Sequence, residues 1–148
     1  MKDYTVFAIA NWFLNKQAVS PKKLQKLTYY AQAWANALYN KNMINDSKFE
    51  AWAHGPVSPA LYEKYRGWGW QDITKNEENT IDDPETIDLL ESVWLTYGDK
   101  SANELEALTH QEIPWRNARG DLADGESSNQ EISEEDMKNY YKSIYVGD

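Results

Sequence analysis

Prolines set the strongest constraint on this chain. Of the five, Pro21, Pro59, Pro84 and Pro114 stand where a helix can begin. Proline has a fixed φ and no N–H, so it suits the first helical position and breaks a helix further in. Three of these prolines follow a capping residue, in the pairs Ser20–Pro21, Ser58–Pro59 and Asp83–Pro84. The side-chain oxygen of such a residue satisfies an N–H left free at the helix start. The chain is thereby divided into several separate helices, and one long helix is excluded.

Apolar spacing fills in the pieces. Val6, Phe7, Ala10, Phe13 and Leu14 recur at helical intervals, with Asp3 as the expected N-cap. After Ser20, one face carries Leu24, Leu27, Thr28, Ala31, Trp34, Ala35 and Leu38. Lys22, Lys23 and Lys26 gather near the start of that helix, where its dipole disfavours cations; they read as a solvated cluster. Asp83 caps a helix with Ile87, Leu90, Val93, Trp94 and Tyr97 inward and Gly98 at its end. Trp34 and Trp94 are expected in the core. Ser101 and Glu104 form a capping box. Ile113 and Pro114 open a short turn with Trp115 inward and Arg116 and Arg119 outward. Ser133 starts the last helix, bracketed by Ile132 and Met137.

The fifth proline lies in "FEAWAHGPVSPALYEKY", residues 49–65, which interrupts the helical pattern. "FEAWA" alternates and is aromatic, so it predicts a short strand. "HGP" then turns the chain, with Gly55 free to take positive φ and Pro56 keeping its predecessor extended. "RGWGW" predicts a glycine-broken loop or strand edge carrying Trp68 and Trp70. Residues 71–83 are polar and read as a mobile connection, with Ile81 in a second short strand. The expected fold is mainly α: a single compact helical domain over residues 1–148 with a small β element near the middle.

Seven Trp and ten Tyr in 148 residues support a packed core. Cysteine is absent, which excludes disulfides, thiolate metal sites and a cysteine nucleophile. No apolar run approaches a membrane span, and the N-terminus lacks the features of a signal peptide, so a soluble cytoplasmic protein is expected. Charge is uneven. Residues 1–75 hold ten Lys/Arg and five Asp/Glu, residues 76–148 five and nineteen, for a net of −9. Overall acidity argues against unaided nucleic-acid binding, which rests on neutralising phosphates.

The chemistry-bearing residues are sparse. His54 and His110 have Glu50, Glu63 and Glu112 near them in sequence, but no HExxH, close histidine pair or phosphate-binding glycine loop is present. No catalytic, cofactor or metal site is therefore assigned, and the chain is read as a non-enzyme. Tyr62, Tyr65, Arg66, Trp68 and Trp70 combine aromatic rings with a guanidinium, the residue types that anchor protein interfaces. Glycines on both sides of Trp68 favour its exposure.

The series "KLQKLTYYAQAWANALYN", "FEAWAHGPVSPALYEKY", "SANELEALTHQEIPWRNAR" and "ISEEDMKNYY" resembles the Panacea domain, the SocA-like, phage-associated antitoxin family of bacteria. "EAWAHGPVSPALY" and "LTHQEIPWRNAR" carry most of the likeness. Ala53 and Asn36 depart from the family's usual pattern without touching the Gly-Pro turn or the Pro-Trp element. The resemblance implies an antitoxin that neutralises a cognate protein toxin, encoded by a neighbouring gene, by direct binding and without a cofactor. It makes Trp52, His54, Gly55, Pro56, Pro114 and Trp115 structural motif residues, with His54 part of the turn. Two other classes stay open. One is a phage or host regulatory module that uses the basic N-terminal half on DNA. The other is a small enzyme built on the histidines and carboxylates.

Overall fold

The computed structural model describes residues 1–146. Among them lie seven α-helices and one two-stranded antiparallel sheet: α1 Val6–Lys16, α2 Pro21–Tyr39, β1 Glu50–Trp52, β2 Gly55–Val57, α3 Pro59–Tyr65, α4 Pro84–Tyr97, α5 Ala102–His110, α6 Ile113–Arg119 and α7 Glu134–Ile144. This is the mainly α architecture with a small central β element that the sequence predicts.

The capping logic holds helix by helix. Ser20, Ser58, Asp83, Ser101 and Ser133 each accept a first-turn backbone N–H, and Ser101 and Glu104 complete a reciprocal box. The first helix is the exception, because Thr5 caps it and Asp3 does not. Tyr4 is held in an extended parallel bridge with Ile44, and its N–H donates to the Met43 carbonyl at 2.7 Å. The helix cannot begin before that bridge ends, and Asp3 pairs with Lys41 instead.

α2 is the axis of the molecule. Every residue from Leu24 to Ala33 is buried, whichever side of the helix it occupies. Such a helix must be covered all round, and α1, α4, α5, α7 and the hairpin cover it. Its last turn emerges, leaving Leu38 38% exposed where a core position is predicted. Trp34 and Trp94 are half-buried and pack against the core.

The second strand is Gly55–Val57, and Ile81 is buried in irregular chain. Pairing runs Glu50 to Val57, Ala51 to Pro56 and Trp52 to Gly55, which leaves Ala53 and His54 as a two-residue loop. Such loops usually take positive φ within the loop itself. Here Gly55 takes it, at +108°. On its other side β1 meets residues 130–132: Ala51 N–H donates to the Gln130 carbonyl at 2.8 Å and Ile132 N–H to the Phe49 carbonyl at 2.7 Å.

Residues 71–83 have no regular structure, but they are fastened and do not form a loose connection. Asn11 on α1 exchanges side-chain hydrogen bonds with Glu77, donating to its carbonyl at 3.0 Å and accepting its N–H at 2.8 Å. Ile73 N–H donates to the Val19 carbonyl at 2.8 Å, and Ile73 and Ile81 are buried. Two apolar anchors and an asparagine clamp order what its polar composition suggests is free.

Candidate functional site

The hairpin, α3 and the first half of α2 enclose a groove of about 410 Å³. Gln25 and Lys26, consecutive on α2, grip the hairpin from below. The Gln25 amide donates to the Ser58 carbonyl at 3.0 Å and accepts the Ser58 N–H at 2.8 Å, fixing the entry to α3. The Lys26 ammonium donates to the Pro56 carbonyl at 3.3 Å. A side-chain carbon at Gly55 would stand 2.5 Å from Lys26 Cε, so the glycine serves both its backbone conformation and the lysine packed over it.

Lys26 is 1% exposed, which corrects the picture of a solvated lysine cluster. Burial, together with Lys22, drives its ammonium down to about 7, and Glu106 opposes the shift only in part. The other two lysines have separate partners. Lys22 forms an ion pair with Glu106 at 2.5 Å, and Lys23 donates to the Gly98 carbonyl at 2.7 Å. Placement near the helix start, against the dipole, was the one sign in the sequence that these lysines are used.

The five residues predicted to grip a partner divide into two sets. Tyr62 is 42% exposed, Arg66 is exposed and Trp70 is 91% exposed. Tyr65 and Trp68 turn inward, correcting their assignment as free surface anchors: Tyr65 is buried and Trp68 half-buried against the core. A 3-10 turn over Arg66–Trp68 carries Trp68, which packs against the core. The flanking glycines permit that turn; they do not isolate the ring. Tyr62, Tyr65 and Arg66 all border the groove, as do Trp52 and His54. Trp52 packs on Tyr62 at 5.0 Å between ring centroids. The groove thus unites the aromatic face and the hairpin motif, which the sequence left as separate features.

His54 lies exposed at the hairpin tip, its Nδ1 3.1 Å from Glu106 Oε1. Despite burial, which pushes Glu106 up, Lys22 and His54 hold it below the usual carboxylate range. His110 stacks flat on Trp115 at 3.9 Å and makes no pair with His54. Among the described residues no group of three or more His, Asp or Glu is placed to hold a metal ion.

The Pro-Trp element supports the groove from behind. Pro114 is buried and Trp115 is 2% exposed, its indole N–H donating to the Trp52 carbonyl at 2.9 Å. Arg119 is 4% exposed, against the expectation that it faces outward; Arg116 is exposed as expected. The Arg119 guanidinium lies over the Trp115 ring and donates to the carbonyls of Ala51, Ala123, Asp124 and Glu126. One planar, multi-donor side chain thereby ties the hairpin to the loop after α6.

Glu112, a sequence neighbour of His110, is buried at the centre of a tyrosine cluster. Its Oε1 accepts from Tyr30 at 2.8 Å and Tyr141 at 2.7 Å, and Tyr30 stacks on Tyr97 at 3.9 Å. Burial pushes its carboxyl up to about 7. A second recess of about 460 Å³, between α2, α4 and the end of α7, has no charged residue in its lining among the described residues.

Comparison with known proteins bears on the same segments. The profile of the SocA-like antitoxin family, Panacea domain, matches residues 24–116, more than half of the chain, from the middle of the first α2 turns through Trp115 and Arg116. The antitoxin SocA of Caulobacter vibrioides is 32% identical over a 126-residue alignment, which covers 73% of this chain and 66% of that protein. No solved structure matches the chain closely. The chain belongs to the SocA-like Panacea-domain family.

Proposed function

We propose that this Panacea-domain protein is an antitoxin that holds a protein toxin inactive by direct, stoichiometric binding, without turning anything over. Support comes from family membership together with one observation: the family-matched hairpin and the exposed Tyr62 and Arg66 border the same groove. Exposed aromatics and arginine beside a recess are the elements from which interface hot spots are built. The partner is then a toxin encoded by a neighbouring gene, met in the cytoplasm. Among the described residues no helix is long and apolar enough to cross a membrane.

The test is to co-express the chain with the neighbouring reading frame and purify both. Rescue of growth with a fixed-ratio complex is expected. Rescue by substoichiometric protein, with no complex and a chemically altered toxin, would overturn the reading in favour of an enzyme.

A further inference from the structure

We propose that the groove between α2, the hairpin and α3 receives an acidic side chain of the toxin flanked by a large apolar one. The carboxylate meets the Lys26 ammonium at the groove floor, and the apolar side chain lies against Trp52, Leu61 and Tyr62. The inference rests on the direct-binding reading above and names the chemistry of the contact.

Three observations carry it. The first is charge. Lys22, Lys26, His54 and Arg66 border the groove; Lys22 and His54 contact Glu106, Arg66 lies 3.7 Å from Glu63, and among the described residues Lys26 has no carboxylate within ion-pair distance. The second is the state of Lys26. An ammonium has three N–H donors, and among the described residues this one makes a single hydrogen bond, to Pro56. A buried cation without a counter-ion is costly, and an entering carboxylate supplies both the charge and the missing acceptors. The third is the wall. Leu24, Val57 and Leu61 line it, and Trp52 and the exposed Tyr62 complete it. About 410 Å³ sits at the small end of ligand-sized clefts, roughly 300–1,000 Å³.

A protein segment fits this better than a free nucleotide. A phosphate asks for several converging free donors, whereas Lys22 and His54 are held by Glu106 and Arg66 lies beside Glu63, which leaves the Lys26 ammonium. Among the described residues, the recess at the other end of α2 has no charged group in its lining.

Carboxylate binding makes a further readout available. Lys22 on α2, Glu106 and His110 on α5 and His54 on the hairpin are the charged or titratable groups set against Lys26. In the free protein the ammonium is held down to about 7. An opposing carboxylate restores the charge, so binding draws in a proton above pH 7.

The experiment is an NMR titration of the full chain, labelled at lysine side chains, with acetyl-Glu-Phe-amide, acetyl-Gln-Phe-amide and adenosine monophosphate. The Glu peptide should bind at least about five-fold more tightly than the Gln peptide and raise the Lys26 titration midpoint by about one unit or more. Lys26→Met, which keeps the bulk and removes the charge, should abolish the preference. Equal binding of the two peptides, binding of neither, a fixed Lys26 midpoint or stronger binding of the nucleotide would each overturn the proposal. If Lys26→Met fails to fold, the wild-type midpoint alone decides. A toxin complex that survives while the peptides fail removes this occupant and leaves direct binding standing; a toxin that never binds removes both.

Discussion

At the residue scale, the hairpin and the two buried ionisable groups make separable predictions. Gly55 combines a φ of +108° with a Lys26 carbon where its own side chain would go. Gly55→Val should therefore cost about 2–4 kcal/mol, whereas His54→Ala, at an exposed tip, should change stability by about 0.5 kcal/mol or less. Thermal melts decide, and equal melting points would refute the strain argument. The positive φ was legible in the Gly-Pro sequence; the lysine lying over it was not, because sequence spacing does not say which helix crosses a hairpin. Glu112 and Lys26 act on opposite limbs of the pH profile. The Glu112 carboxyl is raised in the folded state to about 7, so its contribution is complete below its unfolded value and is lost as pH rises toward 7. The Lys26 ammonium is depressed to about 7, so its contribution is present at high pH and lost as pH falls through that value. Urea unfolding from pH 4 to 10 should show Glu112→Gln removing the fall between about 4.5 and 7 and Lys26→Met removing the rise above 7. Unchanged profiles in both variants would mean that neither group titrates as its burial implies.

At the element scale, α6 fastens the hairpin and the loop that follows it. Capping pairs and prolines made the helices legible, since each start is encoded in two or three adjacent residues. The second strand was not, because Gly55–Val57 contains a proline and becomes a strand only by pairing with β1. The burial of Arg119 is hidden from the sequence for a related reason. Its helical position suggests solvent, and its burial depends on carbonyls of the hairpin and of the loop that follows α6, which its five donors can reach. Trp115→Ala should cost about 3–5 kcal/mol, taking the His110 stack and the Trp52 carbonyl bond with it. A folded, soluble variant that loses only toxin binding would move Trp115 from core to interface. Arg119→Ala leaves the carbonyls of Ala51, Ala123, Asp124 and Glu126 without this donor. The loop should then open locally, and a glutamate-specific protease should cut at Glu126 under native conditions. Arg116→Ala, at an exposed position on the same helix, should remain resistant; equal cleavage of the two variants would contradict the tether.

At the scale of the whole molecule, the uneven charge of the chain finds its use inside the fold. The Met1 ammonium pairs with Glu85, Lys2 with Asp82, Lys16 with Glu91, Lys22 with Glu106 and Lys48 with Glu134, each joining the basic half to the acidic half. Cations engaged in this way are partly neutralised before any phosphate arrives, which weakens the DNA-binding alternative. The same pairing bears on where a toxin docks. Glu134, the first residue of the acidic α7 start, is bonded to Lys48 and Asn42 and held below the usual carboxylate range chiefly by the Lys48 contact. An interface led by Glu134, Glu135 and Asp136 would have to compete with that contact and would weaken steeply with salt. A groove contact between a buried ammonium and a carboxylate, surrounded by apolar side chains, is screened far less. Toxin affinity should accordingly fall only about two- to three-fold between 0.1 and 0.5 M NaCl. Tyr62→Ala and Arg66→Ala should each weaken it by about 2 kcal/mol or more without lowering the melting temperature. The opposite pattern, steep salt dependence with normal binding by both variants, would move the interface to α7.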